Sequence, residues 1–237
     1  MQQSQRMLVF GATGAIGQAV VDASVARGWS VTAVARNYPS VTPPDITALA
    51  VDPFADGFSA SQLSAGAPYS GVCWAQGANV NDSIYNVDVK KHLEIYSANC
   101  LYILVTLRAL LEQKLLAQAS RLCIISSIWQ NLARQSKLSY CVSKSALQGL
   151  VLSASADLAA EGHLINAVLP GALETPMTRK NLTVDQIDRL SSATAFNRLP
   201  ALSDVASIVC YLCSPENTGI SGQFIAADLG FSHVRIV

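Results

Sequence analysis

The sequence predicts an α/β fold: a single doubly wound domain over residues 1–237, with a parallel seven-stranded sheet and helices on both faces. Three observations carry that expectation. Apolar runs of strand length alternate with amphipathic segments of helix length throughout. The runs are continuously apolar rather than alternating, as strands buried on both faces are. No repeat, low-complexity tract or long linker divides the chain, whose 237 residues suit one sizeable domain better than two small ones.

In chain order, Met7–Phe10, Ser30–Ala35, Ile46–Val51, Gly71–Ala75, Arg121–Ser126, Leu164–Leu169 and Gln223–Ala227 read as strands. Ala15–Arg27, Leu93–Leu116, Ser139–Ala160 and Ser203–Ser214 have helical periodicity and good helix formers. Pro39–Pro44 reads as a loop inside the domain rather than a boundary. Glu174–Pro200 reads as the largest irregular region.

Composition narrows the function classes. Half of the residues are hydrophobic (51%), 14% are charged, and sixteen basic residues balance sixteen acidic ones. A neutral chain without a Lys/Arg run lacks the footprint of a nucleic-acid binder and fits a protein that handles small metabolites. The apolar run after Met1–Arg6 stops at Gly11, too short for a signal-peptide core, and no stretch reads as the ~20 apolar residues of a membrane span. The expectation is a cytoplasmic protein with no membrane partner. The six cysteines mostly sit in apolar runs; Cys210 and Cys213 form a C-x-x-C pair without a second pair or a nearby histidine, which favours core packing over redox or metal work. The three histidines show no metal-ligand spacing, so no metal is expected.

The first strand runs into Gly11-Ala12-Thr13-Gly14-Ala15-Ile16-Gly17 and then a helix. A strand, a glycine-rich turn and a helix N-terminus place backbone N–H groups and a positive dipole against a pyrophosphate. A tight packing turn gives the same three glycines; their place at the first strand–helix junction favours dinucleotide binding. The second strand ends in Val34-Ala35-Arg36-Asn37. An acid just past that strand would bind a ribose 2′-OH, whereas the guanidinium of Arg36 can clamp a 2′-phosphate. This favours NADP(H) over NAD(H), with NAD(H) remaining possible; a solvated arginine at a strand end is the plainer alternative.

At Tyr140-Cys141-Val142-Ser143-Lys144, Tyr and Lys are four apart and share one helix face. A free phenol, with a pKa near ~10, is a poor acid–base catalyst at neutral pH, and a neighbouring ammonium favours the phenolate. A surface Tyr/Lys pair is the plainer alternative for these two residues taken alone.

These residues do not stand alone, and together the chain resembles the short-chain dehydrogenase/reductase family over nearly its full length, with a classical body on a Rossmann-type domain. Tyr140 and Lys144 match the family's Y-x-x-x-K, Ser127 its catalytic serine thirteen residues upstream, and Asn99 the asparagine that completes its tetrad. Ile165–Met177 resembles the segment after the sixth strand, where Pro170 and Gly171 shape the nicotinamide end and Thr175 binds the carboxamide. Ser221-Gly222-Gln223 and Asp228-Leu229-Gly230 resemble the closing signature. Asp52 matches the aspartate that meets the adenine.

The departures are specific. The glycine spacing, G-x-x-G-x-x-G, is closer to the family's extended or atypical branches. The usual N-N-A-G after the fourth strand is here Trp74-Ala75-Gln76-Gly77, of which only the glycine survives. Pro53, after Asp52, has no N–H to offer the adenine ring.

The resemblance implies hydride transfer between a nicotinamide cofactor and a small-molecule carbonyl or alcohol. Tyr140 is then the acid–base group, Ser127 orients the substrate, Lys144 lowers the Tyr140 pKa and holds the nicotinamide ribose, and Asn99 anchors a relay water. The loop Ile128–Lys137 and the lid with Thr178, Arg179, Lys180 and Asn181 are polar and cationic. They suggest a polar or anionic substrate, such as a sugar derivative or a carrier-linked acyl group, unless the charges simply face water. The family resemblance also implies a homo-oligomer, a tetramer or dimer, packed through the long helices Leu93–Leu116 and Ser139–Ala160, with Val234–Val237 joining a subunit contact or packing on its own subunit. Two other functions fit less well: a non-catalytic cofactor sensor, disfavoured by the intact tetrad, and a nucleotide-sugar epimerase or dehydratase, disfavoured by the short chain after the last strand.

Overall fold

A computed structural model describes residues 5–38, 45–175, 178–179 and 183–234. Its seven strands are β1 (Arg6–Phe10), β2 (Ser30–Ala35), β3 (Ile46–Ala50), β4 (Tyr69–Trp74), β5 (Leu116–Ile125), β6 (Leu164–Pro170) and β7 (Phe224–Ala227). They form one sheet in the order β3-β2-β1-β4-β5-β6-β7, parallel at every pairing. The doubly wound fold class is therefore as the sequence predicts. The chain turns outward from β1 through β2 to β3, then crosses back to lay β4 on the other side of β1. That reversal opens a crevice at the carboxyl ends of β1 and β4, where such sheets bind ligands.

Successive side chains of β1 point to opposite faces. Leu8 and Phe10 join the core under α3 (Tyr102–Glu112) and α4 (Leu138–Asp157), with Tyr102, Ile103, Leu107, Leu147 and Val151. Met7 and Val9 join the core under α1 (Ala15–Val25) and a C-terminal helix, Leu202–Leu212, with Val20, Val21, Val205 and Val209. Both faces being covered is why the central strands are largely apolar on both sides.

Two elements differ from the sequence reading. The region 174–200, expected to be irregular, contains α5 (Val184–Ser192), so the Leu202–Leu212 helix is α6. Helix α5 begins with a capping box, in which the Thr183 hydroxyl accepts the Gln186 N–H and the Gln186 side chain accepts the Thr183 N–H. The helix expected over 93–116 runs Val89–Glu112, as α2 (Val89–Tyr96), a π turn (Ser97–Leu101) and α3. It stops short because Lys114 is left-handed (φ 53°), and Leu116 already belongs to β5.

By length and composition this 24-residue helix could cross a membrane, but half of its most apolar window is buried inside the fold. Ile95, Cys100, Ile103, Leu107 and Leu110 all lie in the core, the place of a helix packed on its own sheet. The proline-rich loop, most of Val234–Val237, and Pro176, Met177, Lys180 and Asn181 lie outside the described residues.

Candidate functional site

Gly11 closes the crevice at its floor. Its φ of +71° is left-handed, and a Cβ there would lie 2.5 Å from the Gln76 nitrogen at the end of β4. Gly17 is equally constrained: its Cβ would lie 2.2 Å from the Gly11 carbonyl oxygen, so α1 can approach the turn this closely only with glycine. Gly14 is the N-cap of α1 and no side chain caps the helix. Thr13, Gly14 and Ala15 are exposed and Ile16 is half-buried at this turn. The helix start thus presents backbone N–H groups and the positive end of its dipole without an acidic residue in the first turn.

Beside the turn lies a cavity of about 690 Å³, whose lining includes Arg36, Asp52, Phe54, Gln76, Gly77 and Tyr102. This volume is in the range of small-molecule sites. Arg36 and Asn37 are exposed just past β2. The Asp52 carboxylate accepts the Phe54 N–H at 3.0 Å. Burial pushes the Tyr102 phenol up, with nearby Asp52 adding to that and Arg36 opposing it. Trp74, at the first place of the altered N-N-A-G segment, is directed away from this cavity. It is buried, stacks on Phe10 (centroids 5.7 Å apart) and donates through Nε1 to Thr106 Oγ1 at 2.8 Å.

The structure brings the four expected catalytic residues together across β5, α4 and the π turn. Lys144 is buried, and its Nζ donates to the Ile125 carbonyl at 2.9 Å and sits 5.7 Å from the Tyr140 ring centroid. Burial lowers its pKa to about 8. Ser127 follows β5 and caps the 3-10 turn Ile128–Gln130, accepting the Trp129 N–H at 3.3 Å. Asn99 sits in the π turn, a helix irregularity frequent at functional sites. Its Oδ1 accepts the Ala78 N–H at 2.7 Å, and its Nδ2 donates to the Ala78 carbonyl at 3.0 Å and to Ser143 Oγ at 2.8 Å. Gly77 leaves room for this arrangement, since a Cβ there would lie 3.1 Å from Asn99 Oδ1 and 3.7 Å from Lys144 Nζ.

One electrostatic expectation changes. The Tyr140 phenol lies above its ordinary pKa, raised first by burial, brought down by a hydrogen bond from Ser127 and raised a little by Cys141. Desolvation of the phenolate dominates, and the lowering expected from Lys144 is not seen, since its ammonium is directed to the Ile125 carbonyl.

On the remaining wall, Pro170 is buried, and Gly171 packs against Asp228, where a Cβ would lie 3.0 Å from the Asp228 Cβ. The Thr175 hydroxyl accepts the Thr178 N–H at 3.1 Å, and the two threonine hydroxyls are 2.9 Å apart. Two of the cations near the substrate side have partners: Arg179 pairs with Glu174 at 2.6 Å, and Lys137 donates to Asn79 Oδ1 at 3.0 Å. Trp129 meets Phe231 edge-on, with centroids 6.2 Å apart.

Two features were not found by sequence reasoning. Asp82, buried, accepts both the N–H (3.0 Å) and the hydroxyl of Ser139, the residue before Tyr140. His92 Nδ1 lies 2.8 Å from the same hydroxyl. Asp82 thereby secures the first turn of α4, whose N-cap Lys137 supplies no side-chain cap; the turn-forming run Asn81-Asp82-Ser83 was its only sequence signal. The second is the side chain of Gln76, whose Nε2 and Oε1 are both buried without a hydrogen-bond partner.

Comparison with known proteins places this geometry. Residues 71–232 match the family described as enoyl-(acyl carrier protein) reductase, and residues 3–52 match the NmrA-like family. The chain is 26% identical over 152 residues to the 2-(R)-hydroxypropyl-CoM dehydrogenase of Xanthobacter autotrophicus, covering 64% of this chain and 61% of that one. It is 28% identical over 123 residues to the 3-oxoacyl-[acyl-carrier-protein] reductase of Salmonella typhimurium, covering 52% and 50%. The matches thus span about half to three-fifths of those relatives' lengths. The fold superposes on ElxO with NADP bound at a TM-score of 0.84 and 21% identity, over 97% of this chain and 99% of that one.

Proposed function

The chain belongs to the short-chain dehydrogenase/reductase family, and from that premise we propose that it is an oxidoreductase that transfers a hydride between NADP(H) and a carbonyl or alcohol substrate. The observation that carries this reading is the gathering of Ser127, Tyr140 and a buried Lys144, whose Nζ lies 5.7 Å from the Tyr140 ring centroid. The dinucleotide, when bound, supplies or accepts the hydride.

The chain's own groups do the rest. In reduction, the Tyr140 hydroxyl gives its proton to the substrate oxygen; in oxidation the phenolate takes it back. Ser127 bonds the same oxygen and orients the substrate. Lys144, with a pKa of about 8, is still mostly protonated at neutral pH and can hold ribose hydroxyls. Asn99 fixes the Ala78 segment against α4 and is placed to anchor a relay water. The turn Gly11–Gly17 supports a pyrophosphate, Arg36 a 2′-phosphate, Asp52 and Gly77 the adenosine, and Pro170, Gly171 and Thr175 the nicotinamide end.

The substrate is proposed to carry its carbonyl on a polar handle. The names of the two relatives, which act on a CoM-linked and a carrier-linked group, favour a carrier-linked 3-oxoacyl group over a sugar derivative. A homo-oligomer packed through α3 and α4 fits the exposed Leu101, Leu104 and Leu152, which lie at or beside the helix pair.

Fluorescence titration of the purified protein with NADPH and NADH tests the reading first. Tight NADPH with weak NADH binding supports it. Preference for NADH overturns the role of Arg36 and leaves the rest standing, and binding of neither overturns the whole proposal.

A further inference from the structure

Among the described residues, the only buried side-chain nitrogen and oxygen atoms without a hydrogen-bond partner are the Nε2 and Oε1 of Gln76. Buried polar groups are nearly always paired, because an unpaired amide has given up water for nothing. Gln76 has no structural task that requires this. Its main chain closes on Gly11, which any residue type could do, and the family segment that this chain resembles has alanine at the same place. The side chain lines the cavity shared by Arg36, Asp52 and Gly77.

On the other wall of the same cavity, Pro53 has no N–H to offer, and one oxygen of the Asp52 carboxylate already accepts the Phe54 N–H at 3.0 Å. A primary amide presents a donor and an acceptor side by side. It can meet the amino group and ring nitrogen of an adenine together, or the adjacent hydroxyls of a ribose.

We propose that the Gln76 amide is a binding group for the adenosine moiety of the dinucleotide, replacing the hydrogen bond that Pro53 cannot make. The inference rests on the dinucleotide reading above. It makes Gln76 an affinity-determining residue particular to this chain.

The test pairs binding with stability in Gln76→Leu, which keeps the side-chain bulk and removes both polar atoms. Calorimetric titration with NADPH and with 2′-phospho-ADP-ribose, which lacks the nicotinamide, is expected to show about tenfold weaker binding of both. The thermal midpoint without nucleotide is expected to hold or rise, because an unpaired buried amide has been removed. A purely structural amide would give the opposite pattern, a lower midpoint with unchanged affinity, and would overturn the proposal. So would a loss confined to NADPH, which would put the amide at the nicotinamide end.

Repeating the titration with the hypoxanthine analogue of NADP, which lacks the 6-amino group, separates the two adenosine contacts. A variant penalty that disappears places the amide on the base, and one that persists places it on the ribose. Wild-type protein that binds no dinucleotide overturns this inference together with the dinucleotide reading. Wild-type binding matched by Gln76→Leu overturns this inference alone; Gln76→Asn serves as the second variant if leucine does not fold.

Discussion

Two side-chain amides flank Gly77 and have opposite surroundings. Asn99 makes three hydrogen bonds, two to Ala78 and one to Ser143, and is buried among groups that hold one another. Gln76 makes none. The same contrast separates the two ends of the crevice. At the proposed reaction end, Ser127, Lys144 and Asn99 are each hydrogen-bonded to a neighbour and the Tyr140 ring lies beside Lys144, so their geometry is set before any ligand arrives. At the adenosine end, Arg36 is exposed and Gln76 is unpaired, so those groups reach their final partners only in a complex. Under the proposed function, the first end serves chemistry and the second recognition.

The sharpest way to break this comparison is to remove the proton donor without disturbing recognition. Tyr140→Phe is expected to lower kcat by about 10²–10⁴-fold or more while NADPH affinity stays within twofold, read by NADPH oxidation and by fluorescence titration. Near-normal turnover would remove Tyr140 from the mechanism.

Lys144 gives the next largest effect. Its folded pKa of about 8 lies below the ordinary 10.5 because burial penalises the ammonium. Below about pH 8 both folded and unfolded chains hold the proton and the full penalty stands. Between 8 and 10.5 the unfolded chain binds more protons, so this group's contribution to stability rises with pH. Lys144→Met is therefore expected to stabilise the protein at pH 7 by up to about 3 kcal/mol, less the lost Ile125 bond. The gain should shrink toward zero by pH 10.5 in thermal melts. A gain independent of pH would mean that Lys144 is not a desolvated cation in the folded protein.

At the recognition end, Arg36→Leu is expected to weaken NADPH binding by about 10- to 100-fold, the worth of a charge-assisted pair, and to leave NADH binding unchanged. Equal loss of both cofactors would show that Arg36 shapes the strand end rather than selecting a phosphate.

The sequence made these two ends unequally legible. The central strands are visible because a sheet covered on both faces calls for nearly continuous apolar runs. Tyr140 and Lys144 are visible because their spacing of four puts them on one helix face, and Ser127 and Asn99 only through the resemblance to the family. Helix α5 was hidden by its polar surroundings, although Thr183 and Gln186 carry the capping-box signature. The pKa of Tyr140 was misjudged because burial, which no spacing reveals, dominates it. Gln76 was visible only as a departure from a pattern, since the absence of a partner is a property of three dimensions. Asp82 was not visible as a partner of Ser139, because 57 residues separate them.

Asp82 yields the smallest effect and the finest test of the claim that the reaction end is preset. It accepts the N–H and the hydroxyl of Ser139, one residue from Tyr140, so it both caps α4 and holds the turn that carries the phenol. Asp82→Ala leaves the Ser139 N–H in the helix's first turn without its acceptor, a loss of about 1 kcal/mol for a typical cap, or about 2–4 °C in thermal midpoint for a chain of this size. If the turn also positions Tyr140, kcat should fall several-fold with NADPH affinity unchanged, and Asp82→Asn, which keeps an acceptor, should restore most of the rate. A lower midpoint with unaltered kcat would instead confine Asp82 to the scaffold, and would show that the packing around Lys144 is enough to hold the phenol in place.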